Sequence, residues 1–94
     1  FVGDKRKFNQ PVWVRVQNNP VQWRIGFLTQ EDLSGLGRQG MVAVYLPHSY
    51  AISGWVILVE GSTIEHITGM SAAEAMKFAV SGGVTGPADT LVTE

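Results

Sequence analysis

The sequence predicts an α+β domain, a mainly antiparallel sheet of about five strands followed by one C-terminal helix. Three observations carry this. Two period-two stretches flank a tight turn near the N-terminus, two continuous apolar runs lie in the middle, and a capped amphipathic stretch comes near the end.

Val12-Trp13-Val14-Arg15-Val16-Gln17 places aliphatic residues at even positions and Trp, Arg and Gln at odd ones, the period of a half-buried strand. Asn18-Asn19-Pro20 is a turn signal. Alternation then resumes over Val21-Gln22-Trp23-Arg24-Ile25-Gly26-Phe27, with Val21, Trp23, Ile25 and Phe27 on one face, which completes an antiparallel hairpin. Gly26 inside that strand predicts a bulge or a close backbone approach. Glu31 to Gly40 holds three glycines and neither period, so it reads as a loop.

Met41–Leu46 and Trp55–Val59 are continuous and rich in β-branched residues, as expected of central strands buried on both faces. The loop between them, Pro47 to Gly54, is too long for a tight hairpin. Glu60-Gly61-Ser62 is a turn, and Thr63–Ile67 reads as the fifth strand. Ser71 with Glu74 forms a capping box. Ala72, Ala75, Met76, Ala79 and Val80 then make one apolar stripe on a helix of about eleven residues. Gly82 and Gly83 end it. Residues 1–87 are expected to be a single soluble domain with a lead-in segment at 1–11, and residues 88–94 a flexible tail.

One such helix covers one sheet face. The other, expected to carry Trp13, Leu28 and residues of the central strands, must be closed by barrel-like curling, by a partner or by a membrane. Composition poses the same question. Apolar residues are 45%, about 57% with the 11 glycines added, and charged residues only 16%. An average soluble chain has roughly 45–50% and ~25% on the same counts, and a small domain has much surface to cover.

Composition also excludes several classes. Without cysteine there is no disulfide scaffold, thiol catalysis or cysteine-ligated metal. A net charge of −1 excludes a strong global field for nucleic acid. Charge is nevertheless asymmetric, net +3 over residues 1–38 and net −4 over residues 39–94. No apolar run approaches the ~20 residues of a membrane-spanning helix. The chain begins at Phe1 rather than Met and reads as a piece of a larger protein.

Catalytic chemistry finds little support. His48 and His66 are the only histidines, too few to hold a metal without acidic partners, and Glu65 and His66, adjacent on a strand, point to opposite faces. His66 reads as a strand-surface residue, and His48 as a loop residue whose ring bonds the backbone. Ser49 and Ser53 lie near His48, but no nucleophile-elbow motif is present. Ser81-Gly82-Gly83 follows a helix rather than preceding one, so its amides are not set for phosphate. Lys5-Arg6-Lys7 reads as a solvated linker or a membrane-surface contact, and Trp13, Trp23 and Trp55 as packing residues. No enzyme, metal, cofactor or nucleic-acid partner is expected. The candidate interaction or ligand loop is His48, Ser49, Tyr50, Ser53 and Gly54. The candidate interface is Trp13 with Arg15, and the structural caps are Ser71, Glu74, Gly82 and Gly83.

Four signs together resemble the domain-of-unknown-function 502 family of bacterial membrane proteins, to which plant proteins of the continuous-vascular-ring type are related. They are the aromatic–Asp–basic–Phe lead-in from Phe1 to Phe8, Trp23-Arg24-Ile25-Gly26-Phe27-Leu28-Thr29, Val42–Pro47 followed by Ser53-Gly54-Trp55, and Met70–Lys77 leading to Ser81-Gly82-Gly83-Val84. The family's central loop is often Pro-Thr-Thr-Pro-Asn-Pro-Thr-Ser-Gly. Here it is Pro47-His48-Ser49-Tyr50-Ala51-Ile52-Ser53-Gly54, so a ligand of that loop would differ. The resemblance implies transmembrane helices upstream, a bacterial inner-membrane location and, by the positive-inside rule, a cytoplasmic domain. It implies no catalytic residue. The expected function is a membrane-tethered protein-interaction or assembly module, with a homo-oligomer or another protein as partner. The alternative is a small-ligand sensor using the 48–54 loop.

Overall fold

Alternation in the first third of the chain produces the hairpin that starts the sheet. In the computed structural model, which describes residues 8–85, β1 (Pro11–Asn18) pairs antiparallel with β2 (Val21–Gln30). Residues 1–7, with the basic run, and 86–94, with the tail, lie outside the described part. β3 (Met41–Pro47), β4 (Gly54–Glu60), β5 (Ile64–His66) and α1 (Ala72–Val80) follow. The sheet is antiparallel with order β4-β3-β2-β1-β5, so the domain is α+β with one helix near the C-terminus. Among the described residues no helix is long and apolar enough to cross a membrane.

This order forces curvature. β4 and β5 are the two edges, yet only the 3-10 turn Gly61–Thr63 joins them. Four flat inter-strand steps would separate the edges by ~19 Å, more than the roughly 14 Å that the connection can span. The turn after β4 accordingly touches β1. The sheet curls without closing, since no ladder joins β4 to β5 among the described residues.

The concave face is the core. Val12, Val14, Leu28, Val42, Val44 and Leu46 form one buried cluster, with Ile57, Val59 and Ile64 packed against it, so every strand contributes. Burial of Val12, Val14 and Val44 is complete, and each contributes roughly 2 kcal/mol. Gly26 lies opposite Val12 on this face. A Cβ there would stand 2.5 Å from Val44 Cγ1, 2.9 Å from Leu46 Cδ2 and 3.1 Å from the Tyr45 carbonyl oxygen, so Gly26 marks a close approach of β2 to β3. On the convex face Phe27 is fully buried, with the Phe8 ring edge-on at 6.2 Å and Phe8 in turn 4.9 Å from the Tyr45 ring. The helix touches β3 and buries Ala75 completely.

Several expectations need correction. β3 is a central strand, but β4 is an edge with Trp55, Val56 and Leu58 exposed, so it is not buried on both faces and Trp55 is not a packing residue. A continuous apolar run has no period to reveal that one side lacks a neighbour. Leu28 lies with Val12 and Val14 on the concave face, while Trp13, opposite Ile25, points to the convex one. The two were expected together because alternation alone does not fix pairing register. The 31–40 loop contains a 3-10 turn, Ser34–Leu36, closed by a Leu33–Arg38 bridge that buries Leu33. The helix has nine residues rather than about eleven.

Candidate functional site

Pro47 and Gly54 face each other across β3 and β4, and residues 48–53 arch between them. The His48 N–H donates to the Ser53 carbonyl at 2.9 Å, and His48 Nδ1 lies 3.0 Å from Ser53 Oγ. The ring therefore bonds a hydroxyl rather than the backbone as expected, because the arch brings the side chain of Ser53 alongside the imidazole. The ring also stands edge-on to Trp55, 5.7 Å between centroids. With no carboxylate joined to His48 among the described residues, this pair closes a loop and forms no Ser–His–acid triad.

The arch is tied down by the helix. Ser49 Oγ donates to the Ala79 carbonyl at 3.0 Å, and the Tyr50 N–H donates to the Val80 carbonyl at 2.7 Å. The last carbonyls of a helix lack intrahelical partners, so loop and helix end satisfy one another. Tyr50 has φ 55, a left-handed backbone uncommon outside glycine. A Cβ on Gly82 would lie 3.2 Å from the Tyr50 ring. The 48–54 loop and the Ser81–Gly83 turn thus come together, and an open apolar groove lined by Tyr50, Met76, Lys77 and Val80 runs between loop and helix.

The turn itself has no free amides for an anion. Gly82 donates to Ala79 O, Gly83 to Phe78 O, Val84 to Ser81 O and Thr85 to Ser81 Oγ. Gly82 and Gly83 both have positive φ, 73 and 87, and end the helix sterically. At the other end Ser71 Oγ accepts from the Glu74 N–H at 3.1 Å, and the Glu74 carboxylate accepts from the Ser71 N–H at 3.0 Å.

Trp13 and Arg15 lie elsewhere, on β1. Trp13 is half-buried between Ile25 and Glu65, and the Arg15 guanidinium lies 5.8 Å from the Trp23 ring centroid. With β2 between them and β3, they are not brought to the 48–54 loop. Asp32, in the β2–β3 connection, accepts from the Ser34 N–H at 3.0 Å. That backbone bond, then the Ser34 side chain, holds its carboxyl below the usual carboxylate range.

Tyr50 belongs to the candidate loop expected from the sequence, but its exposed apolar neighbours Ile52, Val56 and Leu58 were not singled out. Tyr50 is 76% exposed, Trp55 61%, Val56 64% and Leu58 43%, and Ile52 is fully exposed. All lie between Gln39 and Val59, a stretch without a single Asp, Glu, Lys or Arg. That gap in charge was the signal available in the sequence. Trp55 lies on the core face of the sheet and Val56 and Leu58 on the other, so both faces of this edge are apolar, and extended exposed apolar surface marks interaction sites.

Residues 1–54, more than half of the chain, match the family model described as Protein of unknown function (DUF502). The matched stretch ends at Gly54, the first residue of β4. No curated protein matches the chain, and no solved structure does.

Proposed function

The chain belongs to the DUF502 family of proteins of unknown function, and from that premise we propose that it is the interaction or assembly module of a membrane-anchored protein. The observation that carries the reading is the apolar surface of β4 and the loop before it, without a charge up to Glu60 and exposed beside a core cluster that leaves Trp55, Val56 and Leu58 outside it. A surface of this kind costs solubility unless something covers it. The membrane tether, and with it a cytoplasmic placement, rests on the resemblance of the lead-in and helix motifs and on the positive-inside rule.

The open groove beside Tyr50 favours a second reading, a small-ligand sensor built on the 48–54 loop. One set of spectra separates the two. Amide signals of the isotope-labelled chain are followed over a concentration series, against phosphatidylglycerol vesicles and against a panel of small metabolites. The interaction reading expects shifts or broadening along residues 54–60 in one of the first two series, abolished by V56K/L58K. The sensor reading expects saturable shifts at Tyr50 and Met76 with a metabolite. Unchanged signals along β4 in both the concentration and the vesicle series would overturn the interaction reading.

A further inference from the structure

The two sheet edges differ in a way that selects an occupant for one of them. β5 is three residues long and carries exposed Glu65 and His66. Short length and charge are how proteins blunt an edge against pairing with another chain. β4 has seven residues, and its ladder to β3 runs from Met41↔Glu60 to Pro47↔Gly54 with no bulge, whereas both β1–β2 and β2–β3 contain an irregularity. It holds no proline, no lysine and no charge before Glu60. The outward row of backbone N–H and C=O groups is therefore regular, straight in register and undefended.

We infer that β4 pairs antiparallel with β4 of a second copy of this chain, joining two five-stranded sheets across a two-fold axis at Ile57. This rests on, and deepens, the interaction reading. The register follows from the sequence. Continuing a sheet requires that opposed residues share a face. Among registers that obey this, only the one centred on Ile57 uses all seven residues. It sets Val56 against Leu58 of the second copy and Leu58 against its Val56, aliphatic pairs on the exposed convex face, and Trp55 against Val59 on the concave side. Each Glu60 then falls opposite Gly54 of the other chain. The two Glu60 side chains sit at opposite ends of the paired strands, ~20 Å apart at the usual rise per residue, beyond the screening length of physiological salt. Shifting the pairing by two residues in one direction buries Glu60 against Val56, and in the other sets it against Ile52, outside the strand. Charge thus favours self-pairing in this register and opposes its neighbours. A seven-residue edge with three large apolar side chains buries on the order of 1,000 Å² in total, the low end for specific interfaces, so the dimer forms at high local concentration.

Val56→Cys and Leu58→Cys test the register, since the chain has no cysteine of its own and both positions are exposed. Under mild oxidation a mixture of the two variants is expected to give a disulfide-linked heterodimer, at least fivefold over the homodimer formed by either alone. In the inferred register positions 56 and 58 are directly opposite, while 56 and 56 are diagonal, at roughly 7 Å and too far apart for a disulfide. Equal cross-linking in the single-variant samples, or none in any, overturns the inference. Sedimentation equilibrium of the unsubstituted 94-residue chain provides a second measurement that needs no variant to fold. Mass rising toward twice the monomer with concentration, and abolished by V56K, supports it, whereas a monomer throughout overturns it. If the chain stays monomeric but vesicles still move the β4 amides, self-pairing falls and the interaction reading stands. If neither occurs, both fall.

Discussion

The two hairpins of this sheet dispose of an outward tryptophan differently. In β1–β2, apolar and polar residues alternate, and Trp23 is 39% exposed with the Arg15 guanidinium held against its ring. In β3–β4 nothing is charged before Glu60, and the 61% exposed Trp55 stands 5.7 Å from the His48 ring, nearly perpendicular to it. Within the first hairpin only part of each strand has a second neighbour, residues 12–14 of β1 against β5 and residues 27–30 of β2 against β3. Its outer stretch, residues 15–18 and 21–25, carries Arg and Gln between its apolar residues. The second has β3, with a neighbour on each side, and β4, open along all seven residues. On β4 an apolar surface free of charge up to Glu60 coincides with an edge open along the whole strand, and that coincidence distinguishes an interface from scattered exposed apolar residues, which are normal on any domain.

The strongest way to break the comparison is at the seam between the hairpins. Gly26 on β2 faces Val44 and Leu46 on β3, and a methyl group there collides with both and approaches the Tyr45 carbonyl. Gly26→Ala is expected to destabilise the domain by about 2 kcal/mol, as overpacking of a core does. The thermal midpoint then falls by roughly 10 °C. Both hairpins should melt together, because the core cluster draws on both. Two separate transitions by fluorescence and circular dichroism would show that they are independent units.

A smaller change sharpens it. α1 has only nine residues, too short to persist without its cap and its packing. Ser71→Ala removes one half of the capping box and should cost about 1 kcal/mol. The helix end holds the second hairpin's arch through Ala79 and Val80 and makes no such bond to the first hairpin's turn. Hydrogen exchange at the Tyr50 amide should therefore accelerate about fivefold, while amides along β1 change little. Uniform acceleration would mean that the helix stabilises the sheet as a whole rather than one hairpin's loop.

The first hairpin was legible because period two is a local signal, and each of its residues declares its side. The helix was legible because Ser71, Glu74 and the apolar stripe all fall within one short segment. Gly26 announced a close approach, though not to which strand. What the sequence withheld is non-local. Trp55–Val59 reads the same whether one neighbour or two lie beside it, and the curl that sends β5 to β1 instead of β4 is a property of the whole sheet. Pairing register, not composition, separates Leu28 from Trp13. At the candidate site, proximity along the chain suggested that His48 and Ser53 belong together. That Ser49 and Tyr50 cap the helix, thirty residues on, needed the fold.

The smallest expected effect asks whether an exposed indole recruits a partner without the seven-residue edge of β4, uncharged before Glu60. Arg15→Ala strips the cation from Trp23 and leaves the first hairpin with a bare indole, like the second. An exposed cation–π contact is worth about 0.5 kcal/mol, so stability should barely move. Self-association should not rise either, because the open stretch of β2 around Trp23 still carries Gln22 and Arg24, whereas β4 is open along seven residues with no charge before Glu60. Sedimentation of Arg15→Ala beside the unsubstituted chain reads this directly. If the variant associates more strongly, an exposed tryptophan on a partly open strand suffices, and the long edge of β4, uncharged before Glu60, is not what recruits a partner. If it does not, an exposed indole on a partly open strand is insufficient on this sheet, and the long edge that carries Trp55, Val56 and Leu58, uncharged before Glu60, is what recruits a partner.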